Sequence, residues 1–289
     1  TDLLGRHPVN FSKSLLLNET AIMASLYYEP STRTRFSFEA AMINMGGSVL
    51  STENAEQFSS AAKGEILEDT IRVVSEYSDV IVLRHSEEGA AEKAAEVSSV
   101  PIINAGDGAG QHPTQSLIDL YTIQNECGGI DGKNIALVGD LAHSRTIHSL
   151  AYLLAKYDIG HLYLVSPEFV KLKEDLLLHL AQSGFPISVV HTLKEVAPLV
   201  DVIYQTRLQK ERFTKGSFNL MQEYERIAHK FKIDSNILKK MKPDARILHP
   251  LPRLEEIALE VDSDPRAAYF RQAKNGLYIR MALLLKVLE

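Results

Sequence analysis

The chain has 289 residues, 45% of them hydrophobic, and a formal net charge of −6 at pH 7. That length supports a sizeable core in one large or two medium domains, and the acidic balance excludes non-specific nucleic-acid binding, so basic residues that cluster despite it point to a local anionic ligand. A single cysteine, Cys127, excludes a disulfide framework and a cysteine-rich zinc site and points to a reducing, cytoplasmic setting, and no stretch is apolar enough to span a membrane.

Short β-branched runs alternate with helical patterns along the chain, the mark of βα units and a parallel sheet. In the first half, strands are expected at 20–28 (TAIMASLYY), 48–52 (SVLST), 79–85 (DVIVLRH) and 100–106 (VPIINAG). Helices are expected between them at 34–46, 64–78 and 89–99, followed by a longer one at 114–127. The glycine-rich break GGIDGKN (128–134) predicts a domain junction, dividing the chain into 1–128 and 129–268. The alternation restarts with strands at 135–140, 161–166, 186–192, 201–206 and 246–251 and one helix at 145–157. A last helix, 269–289, has no strand after it.

Ligands of open parallel sheets lie at the carboxyl ends of the strands, so the polar residues just past each strand are the ones that matter. They are STRTR (31–35) after the first strand, Arg84 and His85 after the third, and GDGAGQHPTQ (106–115) after the fourth. In the second half they are GDLAHSRT (139–146), TRLQKER (206–212) and HPLPR (249–253). Five of the six carry arginine, and the remaining one carries His112 and Gln115. A helix cap needs one hydroxyl and favours carboxylates nearby, so two arginines at a helix start point to an anion bound there. A dinucleotide-binding fingerprint in GDGAGQ is excluded, because its third glycine would fall on Gln111.

In this order, the motifs resemble the aspartate carbamoyltransferases over nearly the whole chain. The wider transcarbamoylase family shares STRTR and HPxQ, whereas its ornithine branch typically has cysteine in HCLP, where Pro250 stands here. The resemblance implies an α/β fold of two domains, each a mostly parallel sheet flanked by helices, with the active site in the cleft between them and the helix 269–289 packing back on the first domain. It also implies transfer of the carbamoyl group of carbamoyl phosphate to the α-amino group of L-aspartate, giving N-carbamoyl-L-aspartate and phosphate in pyrimidine biosynthesis, with no metal or organic cofactor. The alternatives are a transcarbamoylase with a different amine acceptor and a noncatalytic regulatory homologue.

Residue by residue, the resemblance assigns the phosphate to Ser31, Thr32, Arg33 and Thr34. Arg84 would bridge phosphate and carbonyl oxygen, His112 would donate to that oxygen, and Gln115 would hold the carbamoyl NH2. Arg145 and Arg207 would grip the two carboxylates of aspartate, with Gln209 and the carbonyl of Leu251 orienting its amine. By itself the loop 54–65 reads as a polar surface turn. The resemblance instead implies that Ser59 and Lys63 reach into a neighbour's site, Lys63 as an aspartate contact, making a homotrimer with shared active sites. Glu29 would pair with Arg145 and Arg212 as a latch between domains. Regulatory chains or fusion to other pyrimidine-pathway domains are further expected partners; nucleic acid and membrane are not.

Overall fold

The computed structural model describes residues 21–53, 64–108, 112–208 and 226–289. The chain divides into two units, the first drawn from residues up to Thr114 together with Lys274–Glu289, the second being Gln115–Ala273. The expected junction lay at 128/129. By contact, most of the helix before it belongs with the second unit, and the last helix is divided between the two.

In the first unit the elements run β1 (Ile22–Tyr27), α1 (Thr32–Asn44), β2 (Ser48–Glu53), α2 (Leu67–Ser75), β3 (Val80–His85), α3 (Ala90–Val97) and β4 (Ile102–Asp107). The sheet order is β2-β1-β3-β4, with every pairing parallel. Alternate residues serve different cores. Met23 and Tyr27 of β1 and Val80 and Val82 of β3 face one cluster, which also takes in Met281 and Leu284. Ala24, Leu26, Ile81 and Leu83 face the other. A sheet covered on both faces needs no polar face, which is why β1 and β3 read as continuous apolar runs rather than alternating ones.

The second unit contains most of α4 (Pro113–Cys127), then β5 (Asn134–Val138), α5 (Arg145–Leu154), β6 (His161–Val165), α6 (Glu174–Ala181), β7 (Ile187–Val190), α7 (Leu193–Val196), β8 (Val202–Gln205), α8 (Ser235–Leu238), β9 (Arg246–Leu248) and the first residues of α9 (Tyr269–Leu288), the rest of which belongs to the first unit. Its sheet is again parallel throughout, in the order β7-β6-β5-β8-β9. The same alternation recurs: Ile135, Leu137, Val202 and Tyr204 pack on one side with Leu120 and Ile123 of α4, and Ala136, Val138 and Ile203 on the other. Sequence reading did not single out α6. Its start is marked by Glu174 and Asp175 in the first turn, which suit the positive end of a helix.

Close approach of two strand ends sets the geometry of the second unit. Gly139 follows β5 with φ +119°, and a Cβ there would lie 2.4 Å from the carbonyl oxygen of Thr206, the residue after β8. Gly128, at φ +69°, has open space around it. Replacing either by alanine carries the left-handed penalty of about 1 kcal/mol, but only Gly139→Ala also forces backbone apart. Urea titration should therefore show Gly139→Ala distinctly less stable than Gly128→Ala, and equal midpoints would contradict the close approach.

Candidate active site

Both sheets reverse their winding at one place, and the motifs lie there. In the first, β1 leads through α1 to β2 on one side, while β3 lies on its other side. The ends of β1 and β3, joined by Tyr28 N–H donating to the Arg84 carbonyl at 2.9 Å, form the switch point where open parallel sheets bind ligands. STRTR leaves one strand and Arg84 ends near the other.

The start of α1 has the polarity that suits an anion. The Ser31 side chain makes no cap hydrogen bond, and no acidic residue stands in the first turn. The first backbone N–H groups lack helical acceptors and carry the positive end of the helix dipole. Arg33 forms no ion pair with any described residue, and partial burial lowers its pKa. Arg35, two residues on, is turned away: its guanidinium lies 2.9 Å from Glu53. Positions i and i+2 do not share a helix face, so only one of the two arginines can serve the helix start.

Arg84 is 7% exposed and held from two sides, donating to the Ala105 carbonyl at 3.1 Å and lying 2.6 Å from a Glu29 carboxylate oxygen. Arg84, an arginine of its own unit, is thus one partner of Glu29. His112 is buried immediately before Pro113, which opens α4 at a position that tolerates a missing N–H.

The second unit repeats the plan. Its switch point lies between β5 and β8, the strands followed by GDLAHSRT and TRLQ. Asp140, fully buried, accepts from the backbone N–H of His143 at 3.0 Å and thereby shapes the loop that ends on Arg145, the first residue of α5. Arg207 follows β8, its carbonyl accepting from the Asp140 N–H at 3.4 Å. Arg145 and Arg207 are each half-buried.

HPLPR owes its shape to His249. The Nδ1 of this buried ring accepts from Leu251 N–H at 2.8 Å, which leaves Nε2 as the protonated nitrogen, 2.8 Å from Glu256 Oε1. Burial lowers the His249 pKa, against the opposing pull of Glu256. The bond to Leu251 helps hold that residue at φ +56°, a conformation that L residues adopt at a cost of roughly 1 kcal/mol or more. Leu251 is the residue whose carbonyl the family resemblance assigns to orienting the aspartate amine.

One group went unnoticed in the sequence. Asp119, on α4, is fully buried and accepts three hydrogen bonds: from Gln115 Nε2 at 2.7 Å, Gln272 Nε2 at 2.6 Å and the Tyr204 hydroxyl at 2.7 Å. Burial pushes its pKa up to about 7, against the pull of those donors. Its signal was available: an acidic residue in the apolar run SLIDLYTI, four places after Gln115.

Ser31, Thr32, Arg33, Thr34 and Arg84 therefore gather at the switch of the first unit, with Glu29 on Arg84. Arg145 and Arg207 gather at that of the second. Ser59, Lys63, Gln209 and Arg212 lie outside the described residues. Among the described residues no group of three or more His, Cys, Asp or Glu is placed to hold a metal ion.

Two family models match the chain: "Aspartate/ornithine carbamoyltransferase, carbamoyl-P binding domain" over residues 5–125, and "Aspartate/ornithine carbamoyltransferase, Asp/Orn binding domain" over 131–287. The chain is 59% identical over 263 residues to the chloroplastic aspartate carbamoyltransferase of Arabidopsis thaliana, an alignment covering 91% of this chain and 66% of that protein, so it spans just under two thirds of that relative's length. It is 48% identical to the multifunctional protein CAD of Squalus acanthias, over 98% of this chain and 12% of that one. Among solved structures, aspartate transcarbamoylase from Trypanosoma cruzi in complex with N-(phosphonacetyl)-L-aspartic acid superposes with a TM-score of 0.87 at 44% identity, covering 95% of this chain and 86% of the other. With both models matched in order and the fold shared, the chain belongs to the aspartate/ornithine carbamoyltransferase family.

Proposed function

We propose that this chain catalyses carbamoyl transfer from carbamoyl phosphate to the α-amino group of L-aspartate, releasing N-carbamoyl-L-aspartate and phosphate. The observation that carries the proposal is the placement of cationic motifs at the switch point of each parallel sheet, Arg33 and Arg84 in one and Arg145 and Arg207 in the other. The names of the Arabidopsis and Trypanosoma relatives support the same reaction.

The chemistry follows from the charges. The phosphate of carbamoyl phosphate sits on the N–H groups, hydroxyls and Arg33 at the start of α1. Arg84, anchored by Glu29 and the Ala105 carbonyl, offers its guanidinium to phosphate and carbonyl oxygen without having to be ordered first. Arg145 and Arg207 each hold one carboxylate of aspartate, and the carbonyl of Leu251 accepts from its amine, as does the side chain of Gln209. The neutral amine attacks the carbonyl carbon, and His112 and Arg84 stabilise the oxygen as it becomes negative. The C–O bond to phosphate breaks as the tetrahedral species collapses, and the departing phosphate takes the proton lost by the amine.

Lys63 and Ser59 act, in this proposal, on a neighbouring subunit's site in a homotrimer. The Squalus relative supports fusion to further domains as one setting for the same pair of units. The cytoplasmic setting rests on the single thiol of Cys127.

Purified protein should carbamoylate aspartate and leave ornithine unmodified, because Arg145 and Arg207 suit a dicarboxylate and repel a second ammonium. Comparable turnover of ornithine in a colorimetric ureido assay would refute the acceptor. His112→Ala should lower kcat by roughly a hundred- to a thousandfold with little change in KM for carbamoyl phosphate, since the lost donor acts on charge that develops only in the transition state. An unchanged kcat would remove His112 from the mechanism. For the trimer, Lys63→Ala and Arg33→Ala chains should each be nearly inactive. Co-refolded together, they should regain up to roughly a quarter of wild-type activity, because a heterologous ring pairs the intact residues at some interfaces. Hybrids that form but stay inactive would show that the sites are not shared.

A further inference from the structure

The Asp119 network does more than satisfy a buried carboxylate. Gln272 is determined at both ends: its Oε1 accepts from the His249 backbone N–H at 2.8 Å, so its Nε2 must be the group facing Asp119. Two amide N–H groups, from Gln115 and Gln272, converge on Asp119 Oδ1, while the Tyr204 hydroxyl takes Oδ2. With Oδ1 an acceptor, the amide of Gln115 can lie only one way round. We infer that Asp119 is a positioning residue for carbamoyl recognition: by taking the Nε2 of Gln115 it leaves the amide's Oε1 as the atom presented to substrate, and so selects for a ligand that carries NH2 at that place.

This inference rests on the carbamoyl-transfer reading and adds its basis for specificity. Asp119 stands four residues along the same helix from Gln115, within reach to hold the glutamine amide by a single hydrogen bond. The opposite orientation of Gln115 would set an NH2 group against the NH2 of carbamoyl phosphate, two donors with no acceptor between them. Tyr204 holds the other carboxylate oxygen and adjoins Thr146, whose hydroxyl lies 3.0 Å from that of Ser144. One buried carboxylate thus links the residues of HPTQ, SRT and HPLP within the second unit.

The test compares carbamoyl phosphate with acetyl phosphate, which has a methyl group where the former has NH2. Dissociation constants of both, and of inorganic phosphate, are measured by calorimetric titration of the full chain. Asp119→Leu should weaken carbamoyl phosphate by at least about tenfold, the scale of one oriented hydrogen bond, and leave acetyl phosphate and phosphate within roughly threefold. Equal weakening of all three would mean a purely structural role and overturn the inference, as would no weakening of carbamoyl phosphate. If Asp119→Leu does not fold, Asp119→Asn replaces it. Its Oδ1 can still accept from both glutamines while its NH2 donates to the Tyr204 oxygen, so the preference for carbamoyl over acetyl phosphate should survive. Adding Tyr204→Phe removes that acceptor, frees the asparagine to turn its NH2 toward Gln115, and should abolish the preference; a double variant that retains it overturns the inference. Wild-type protein that neither binds nor turns over carbamoyl phosphate would instead refute the reaction itself.

Discussion

Parallel pairing is the constraint on which the rest of the structure depends. A strand in a parallel sheet must be followed by a crossover, so all strands of one sheet end on the same edge, and their following loops collect there. In β2-β1-β3-β4 and β7-β6-β5-β8-β9 the winding also reverses beside the first strand of each sheet. Loops leaving the two central strands then diverge and leave room between them. STRTR and Arg84 occupy one such place, and the loops ending on Arg145 and Arg207 occupy the other. The fold brings cations together at points separated by tens of residues in sequence.

Holding those cations in place falls to buried polar groups rather than to the cores. Arg84 is fixed by Glu29 and a carbonyl, the Arg145 loop by Asp140, the Leu251 carbonyl by His249, and Gln115 by Asp119. A hydrogen bond to an ionised group, such as that between Arg84 and Glu29, is worth about 1.5–3 kcal/mol, and leaving such a group unpaired costs comparably. The supporting residues are therefore as strongly determined as the ones they support. In a chain of net charge −6, Arg84 keeps its place against a carboxylate, Glu29, while the carboxylate of Asp140 shapes the loop that leads to Arg145.

Much of this was legible in the amino-acid order. Runs such as VIVLRH and IALVGD announce buried parallel strands, because only a sheet covered on both faces tolerates unbroken apolar sequence, and the hydroxyls and arginines of STRTR announce a helix start without acidic residues. Helix α6 was less legible, since LLLHL lacks a clean helical stripe and nothing caps its first turn. The motifs also identified the family, because six of them recur in order along one chain.

What sequence alone left open was direction. STRTR offers two arginines, and only the helix's turn of about 100° per residue sends Arg35 to Glu53 while Arg33 stays by the first turn. Glu29 stands near no arginine in the chain's linear order but Arg33 and Arg35, and the sheet delivers Arg84 to it from further along the chain. Asp119 reads as one acidic residue in an apolar stretch until β8 and α9 bring Tyr204 and Gln272 against it from 85 and 153 residues away. Local chemistry, helix starts, strand runs and motif spacing, is written in neighbouring residues and so can be read there. Which buried carboxylate meets which donor depends on strand order and packing, and only the tertiary structure decides it.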